Sequence, residues 1–257
     1  MEPDRTGGTV VARQGNRLAT TGCLISLTAL IAILGIVASW LWYRHWHDDN
    51  INSERQKKET VALLEQARAI SDDTARALDT SQATDVDTLT GVIWQHSATP
   101  VISYSAARHE FTATAARTAQ YDAEGILPGS GAGRLTRCFV FTYTHRPGPA
   151  WAPRVSVQDD DQCRPSTQIA GRVHMALTRI SSMNTMDLTR AGIQNGLDPT
   201  GRRSFDVKNV VRNRDAVTIS VLVSSSQAAV DQCYRLTRPL HGDDSRSSPT
   251  AVPTSSC

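Results

Sequence analysis

The longest apolar segment of the chain lies near its N-terminus, where twenty-one uncharged and mostly apolar residues run from Cys23 to Tyr43. As a helix this run would be about 31 Å long, which matches the roughly 30 Å hydrocarbon core of a bilayer. A cleaved signal has a shorter apolar region of about 7–15 residues and a small-residue cleavage site, whereas bulky Trp40 follows the one such triplet here. We therefore expect an uncleaved transmembrane helix at 23–43, with a cleaved signal or a soluble core helix as the alternatives.

Aromatic and basic residues cluster at the end of this run, at Trp40, Trp42, Tyr43, Arg44 and Trp46. Amphipathic rings of this kind settle among lipid headgroups, so these residues are predicted to mark a membrane interface. The basic residues do not fix the orientation of the helix, since three precede the run and four follow it closely. The lipid bilayer is thus the first expected partner, and the orientation must be argued from other residues.

Helical patterns continue after the apolar run. Ser53 is followed three residues later by Gln56, as in a capping box, and helix formers dominate as far as about Leu78, which predicts a juxtamembrane helix or stalk over 44–80. The apolar face of this helix is thin, so it either lies on its own domain or forms a dimeric coiled coil. Asp85 is then a candidate N-cap for a second, short helix.

After the second helix the apolar period changes to two, which predicts strands. The clearest strand is RLTRCFVFTYTH, in which Phe139, Phe141 and Tyr143 face one side, and the chain turns near Gly148 into the next strand. A pair of helices is predicted to follow, and then further strands that include the alternating segment from Val217 to Val223. The elements together indicate an antiparallel sheet with helices packed on it.

The predicted fold class is α+β, with a single N-terminal transmembrane helix, a juxtamembrane helix and an antiparallel sheet of five to seven strands with packed helices. Residues 1–22 would form a short cytoplasmic segment, and residues 81–238 one extracytoplasmic α+β domain. The last segment, 239–257, is rich in Ser, Thr, Pro and Asp and has little to bury, so a flexible C-terminal tail is expected.

The cysteines bear on the orientation. Cys138, Cys163, Cys233 and Cys257 all follow the apolar run, and none of them belongs to a C-x-x-C pair. An even number of scattered cysteines beyond an anchor indicates disulfides formed outside the cytoplasm, although ordinary buried thiols are an alternative. The hairpin near residue 148 favours a bridge between Cys138 and Cys163, with Cys233 and Cys257 as the complement. We therefore expect a single-pass cell-membrane protein with its N-terminus in the cytoplasm and its large domain outside.

Catalytic and metal-binding patterns fail at identifiable residues. His109-Glu110 begins like an H-E-x-x-H zinc motif, but Ala113 stands where the second histidine is needed. The segment PGSGAG at 128–133 lacks the glycine spacing of a nucleophile elbow. The stretches HWHDD at 45–49 and Asp159 to Asp161 contain metal-ligand types without the spacing that turns them toward one ion. No catalytic, cofactor-binding or metal-binding residue is predicted, and no cofactor.

Composition narrows the classes of function further. The net charge of +2 offers no concentrated basic face, so no nucleic-acid partner is expected. Only three of the 27 basic residues are lysine, a bias typical of GC-rich bacterial genomes. The hypothesis is a non-catalytic, membrane-anchored extracytoplasmic binding or assembly protein of a bacterial envelope, which contacts other envelope proteins or itself. The alternatives are a ligand sensor and an anchored hydrolase-like enzyme whose dispersed site would bring together at least two of His109, His145, His174 and Asp159 in a deep pocket.

Overall fold

The computed structural model describes residues 15–123, 131–145, 150–226, 230–240 and 248–257. The chain divides into two compact units, of which the first contains residues 1–56 and 122–133 and the second contains residues 57–121 and 134–257. The fold is α+β, with a long apolar N-terminal helix and two four-stranded antiparallel sheets.

The N-terminal helix, α1, is Gly15–Ser81. Its apolar side chains in the first unit are exposed, as Leu30 and Ile33 illustrate at 60% and 61%. An 18-residue window of this helix has a mean hydropathy of 1.8 and none of that window is buried, which is compatible with a membrane anchor. A helix that is apolar on every side has no polar face to turn toward water.

The juxtamembrane segment predicted at 44–80 is helical, but it is the continuation of α1 and not a separate helix, so the capping pattern at Ser53 does not begin a new one. The intervening residues contain neither glycine nor proline, so nothing in the backbone ends the helix. Side-chain pairs one turn apart also support it: Arg44 Nε lies 4.0 Å from Asp48 Oδ2, and His45 Nε2 lies 3.5 Å from Asp49 Oδ2.

In the second unit, α1 packs on the domain that follows it. Leu63, Ala67 and Leu78 are buried in one apolar cluster with the first sheet, whereas Val61 is 56% exposed. Of the two alternatives for this segment, the structure has the helix that lies on its own domain. The next helix, α2, is Val86–Ser97, and the Asp85 side chain accepts a hydrogen bond of 2.8 Å from Thr88 N, which confirms the predicted N-cap.

The first sheet has the order β1-β2-β3-β4, and its strands are Val101–Ser105, Glu110–Asp122, Ala132–His145 and Trp151–Gln158. The β3–β4 register pairs His145 with Trp151 and Cys138 with Gln158, so the two strands form the hairpin that the sequence predicts, and its turn at 146–149 lies outside the described residues. Phe139, Phe141 and Tyr143, which are predicted to share one face of β3, are buried, and they form the core of this sheet with residues of α1 and α2.

The second sheet has the order β5-β6-β7-β8, with strands Phe205–Arg212, Ala216–Ser224, Asp231–Pro239 and Thr250–Thr254. Along the chain, the two groups of strands are separated by four helical elements: the 3₁₀ turn Asp160–Cys163, α3 (Arg164–Ser182), the 3₁₀ turn Thr185–Asp187 and α4 (Arg190–Leu197). The helices α3 and α4 form the predicted pair, and they share an apolar core with the second sheet. The prediction of one sheet is therefore wrong, because each group of strands buries its apolar face against its own helices.

The prediction of a flexible tail from residue 239 is wrong for residues 250–254, which form the strand β8. This strand pairs with β7, and its residues Pro253 and Thr254 are buried. Few apolar side chains are needed here, since backbone hydrogen bonds hold an edge strand and proline is tolerated there.

Two glutamine amides cover strand edges. The Gln194 amide, on α4, donates to Phe205 O at 2.9 Å and accepts from Val207 N at 2.8 Å, so it pairs with the outer edge of β5 as a peptide group would. The buried Gln232 amide accepts from Ile102 N at 2.9 Å and donates to Thr254 O at 2.8 Å. Gln232 thereby joins β1 of the first sheet to β8 of the second.

Two disulfides are present, Cys138–Cys163 and Cys233–Cys257, and this is the pairing that the sequence favours. The first joins β3 to the turn before α3, and the second joins β7 to the residues after β8. Both disulfides lie in the second unit, and disulfides of this kind indicate an oxidising, extracytoplasmic environment.

Candidate functional site

An open groove of about 1090 Å³ lies in the second unit between α2 and α3, with β7 and β8 as its floor. Its walls are mostly apolar, and its charged side chains are Asp85 and Asp87 at the N-terminus of α2 and Arg235 on β7. The lining residues are contributed by α2 and its flanks (85, 87, 88, 91, 92, 94, 95, 98, 100), by α3 (170, 173, 174, 177) and by the strands (234, 235, 250–252). A volume of this size is ample for a ligand or for a segment of a partner.

The α2 wall follows from helical spacing. Thr88, Gly91, Val92 and Gln95 are placed at i, i+3, i+4 and i+7, so they share one face of the helix. The opposite face of α2 carries Ile93 and other core residues of the first sheet. A Cβ added at Gly91 would lie 4.0 Å from a Val252 methyl, which is an ordinary van der Waals contact, so α2 passes near β8 at this position.

The α3 wall has the same spacing. Ala170, Val173, His174 and Leu177 are again placed at i, i+3, i+4 and i+7. Leu177 is only partly buried, although its apolar period in the sequence suggests a core residue. The helix α3 therefore serves two surfaces, because its core face packs on the second sheet and the adjoining stripe lines the groove.

The floor is formed by Tyr234 of β7 and by Ala251 and Val252 of β8. The Tyr234 hydroxyl is buried and donates a hydrogen bond to Pro100 O, and burial raises the pKa of this hydroxyl well above its usual value. Strand β8 is held by its pairing with β7 and by the nearby disulfide. The sequence does not predict the β8 part of this floor, because the composition of residues 239–257 is typical of a flexible tail.

One end of the groove carries opposing charges. Asp87 Oδ2 lies 3.9 Å from Arg235 Nη2, and Asp87 Oδ1 accepts a hydrogen bond of 2.9 Å from Ser255 N. Asp85 is exposed, and hydrogen bonds from the Thr88 side chain and backbone lower the pKa of its carboxyl group below the usual value. This end therefore presents two carboxylates and one guanidinium group that is already engaged.

The predicted membrane-interface residues lie together on α1. Trp40, Trp42 and Trp46 are more than half exposed, and Tyr43 also faces outward. The guanidinium carbon of Arg44 lies 5.3 Å from the centroid of the Trp40 ring, which is a cation–π contact. Rings and charge thus form one collar at the end of the apolar run.

The four residues of the dispersed-site alternative do not meet in the groove. His174 lines it, whereas His109, His145 and Asp159 do not. His145 N donates to His109 O at 3.0 Å, and the His145 ring packs edge-on against Trp151 at 4.9 Å between centroids, so these two histidines belong to the end of the first sheet. The groove therefore contains one of these four residues, and the structure does not bring two of them together there.

Over the described ranges of the chain, no group of three or more His, Cys, Asp and Glu side chains could hold a metal ion. The glycine-rich segment 128–133 lies partly outside the described residues, and β3 begins at Ala132.

Comparison with known proteins gives no match: no protein-family model, no curated protein and no solved structure is significantly similar to this chain. The class of protein must therefore be argued from the molecule itself. It is an α+β protein with an exposed apolar N-terminal helix, two disulfides and an apolar groove with a charged end.

Proposed function

We propose that this chain is a non-catalytic, membrane-anchored binding or assembly protein of a bacterial envelope, whose large domain lies outside the cytoplasm. The observation that carries the proposal is the open groove, whose mostly apolar lining comes from two helices and from the strands β7 and β8. A concave and mostly apolar groove of this volume is typical of a site that a ligand or partner fills.

Anchoring and orientation rest on two independent features. The apolar half of α1 is exposed throughout, so in a bilayer it would exchange unfavourable contact with water for contact with lipid. The disulfides belong in an oxidising compartment. Together they support a domain that faces outward from a cytoplasmic N-terminus.

Cys257 offers a reporter of the orientation, because it is exposed whereas its partner Cys233 is buried. Intact cells would be treated with a membrane-impermeant maleimide, with and without an impermeant reductant. We expect labelling of Cys257 only after reduction, and a Cys257→Ser variant should lose this signal. Labelling that requires cell lysis but no reduction would place the domain in the cytoplasm and refute the proposal.

Binding at the groove is tested by photo-crosslinking in cells. A photoreactive amino acid at Gln95, which is exposed and lines the groove, is compared with one at Met175, which is exposed on α3 but lies outside it. We expect the same discrete adduct to recur from position 95 and to be absent from position 175. Equal adducts from both positions, or none from position 95, would contradict a binding role for the groove.

A further inference from the structure

The dimensions of the groove identify the kind of segment that fits it. Each helical wall presents a stripe whose first and last residues lie seven positions apart, at 88 and 95 on α2 and at 170 and 177 on α3. Seven helical rises extend about 10.5 Å, and a helix with side chains is about 10–12 Å wide, so two turns occupy roughly 820 to 1190 Å³. The groove volume of about 1090 Å³ lies within this interval.

The walls have the chemistry that a helix face requires. Val92, Trp94, Leu177 and Val252 are only partly buried in the fold, and all four line the groove. A helix with apolar residues at i, i+3, i+4 and i+7 would bring its own stripe against both walls, as in helix-in-groove recognition. Apolar contact with both helices would also shield these four side chains from water.

The charged end selects among apolar partners. Asp85 and Asp87 carry two negative charges against the single positive charge of Arg235, which already faces Asp87 at 3.9 Å. A fatty acid or an anionic lipid would bring a third negative group to this end. A basic side chain would instead meet the exposed Asp85 carboxylate, so charge complementarity favours a cationic segment.

We infer that the groove binds two turns of an amphipathic helix from a partner protein, with the apolar face of that helix against α2 and α3 and a Lys or Arg side chain beside Asp85 and Asp87. This inference rests on the proposed function and names the partner class for the same groove. It commits to a helix of another protein, and a second copy of this chain and an acyl chain become outcomes of the test.

The test uses the full chain in nanodiscs of zwitterionic lipid and two labelled peptides of fourteen residues. Both peptides are Ala-rich with Leu at i, i+3, i+4 and i+7; one has Lys at each end and the other has Glu. Binding is followed by fluorescence anisotropy against empty nanodiscs. We expect the Lys peptide to bind about two- to fivefold more tightly than the Glu peptide, as for a partly exposed ion pair.

Matched variants assign this preference to the groove. Leu177→Glu should weaken binding more than tenfold, because it buries a charge against an apolar face, whereas Met175→Glu on the same helix should change it less than twofold. Asp85→Asn keeps an N-cap side chain and removes the charge, so the Lys-over-Glu preference should fall toward one.

Three results would overturn the inference. The first is equal affinity for the two peptides, and the second is Leu177→Glu binding that matches the wild type. The third is occupation by something else: displacement of the peptide by a fluorescent fatty acid at lower concentration, or a dimer in sedimentation that Leu177→Glu dissolves. If the peptides fail while the position-95 adduct persists in cells, the proposed function stands and this inference alone fails.

Discussion

Gln232 is the side chain whose replacement should most clearly weaken the connection between the two sheets. Its amide accepts from Ile102 N and donates to Thr254 O and, at 3.1 Å, to Cys233 O, while only 4% of the residue is exposed. Gln232→Leu keeps a similar volume and removes all three hydrogen bonds. The backbone groups on β1 and β8 then remain buried with no side-chain partner.

The expected cost follows from the number of groups left unpaired. A buried donor or acceptor without a partner costs about 1–3 kcal/mol. The Ile102 N–H has a single bond to give and is counted in full. The carbonyls of Cys233 and Thr254 each have a second lone pair, so together they are counted as one unpaired group. The free energy of unfolding should therefore fall by about 2–6 kcal/mol, which is a large fraction of the stability of a typical domain.

Urea unfolding of the full chain in nanodiscs, followed by circular dichroism, measures this change. Gln162→Leu is the matched control, because Gln162 is exposed and the same substitution there should stay within about 0.5 kcal/mol of the wild type. Hydrogen exchange gives a local readout. The Ile102 amide should lose more protection in Gln232→Leu than the Ile219 amide in the middle of the second sheet.

An unfolding free energy for Gln232→Leu within about 0.5 kcal/mol of wild type, with unchanged exchange at Ile102, would refute the reasoning. The two sheets would then be held together by their apolar contacts, and the buried amide would be replaceable.

Three further predictions concern stability. Tyr143→Phe should leave the unfolding free energy unchanged or raise it by up to about 1 kcal/mol, because the buried Tyr143 hydroxyl lies near the Thr74 and Ser71 side chains without a hydrogen bond of good geometry. Tyr234→Phe should instead lower the unfolding free energy by about 1–2 kcal/mol, because it removes a hydrogen bond to the Pro100 carbonyl. Replacing Cys138 and Cys163 together with alanine releases a cross-link over a sequence separation of 25, for which loop-closure entropy gives about 3.5 kcal/mol, and prior reduction of the wild type should abolish the difference. Hydrogen bonds to the charged form lower the folded-state pKa of the Asp85 carboxyl. The stability that this carboxylate contributes is therefore present above the ordinary pKa of an aspartate and is lost as the pH falls through the folded-state pKa. In urea unfolding, the stability advantage over Asp85→Ala should shrink between pH 7 and pH 3, and an advantage independent of pH would contradict the charged cap.

The parts of the fold that follow from local patterns could be predicted from the sequence. The alternation of Phe139, Phe141 and Tyr143 places them in the core, and Asp85 caps α2, because both signals depend on residues that are close in the chain. The pairing of β3 with β4 in one hairpin could be predicted for the same reason. Local chemistry is sufficient in these places.

The parts that depend on distant contacts could not be predicted. Strand β8 has little apolar character of its own and becomes ordered through β7, so its composition resembles that of a tail. The continuity of α1 was missed because a capping pattern at Ser53 is only a local preference, which an uninterrupted helix overrides. The number of sheets is decided by which helices cover which strands, and periodicity does not report this.

The groove was missed for a related reason. Leu177 belongs to an apolar period that indicates a core face, and the sequence contains no sign that this residue would stay partly uncovered. Gly91 and Gln95 acquire their role only because α3 lies opposite. A surface formed by two helices that lie about 80 residues apart in the chain cannot be read from either helix alone.

The Gln194 amide limits strand pairing between copies of this chain that lie close together. An unpaired strand edge invites a second molecule to add its own strand, and such pairing grows more probable as copies are confined together. By occupying Phe205 O and Val207 N, Gln194 withdraws part of the β5 edge from this reaction. A protein concentrated on a surface would thereby be less open to strand pairing at this edge, which favours selective association through the groove.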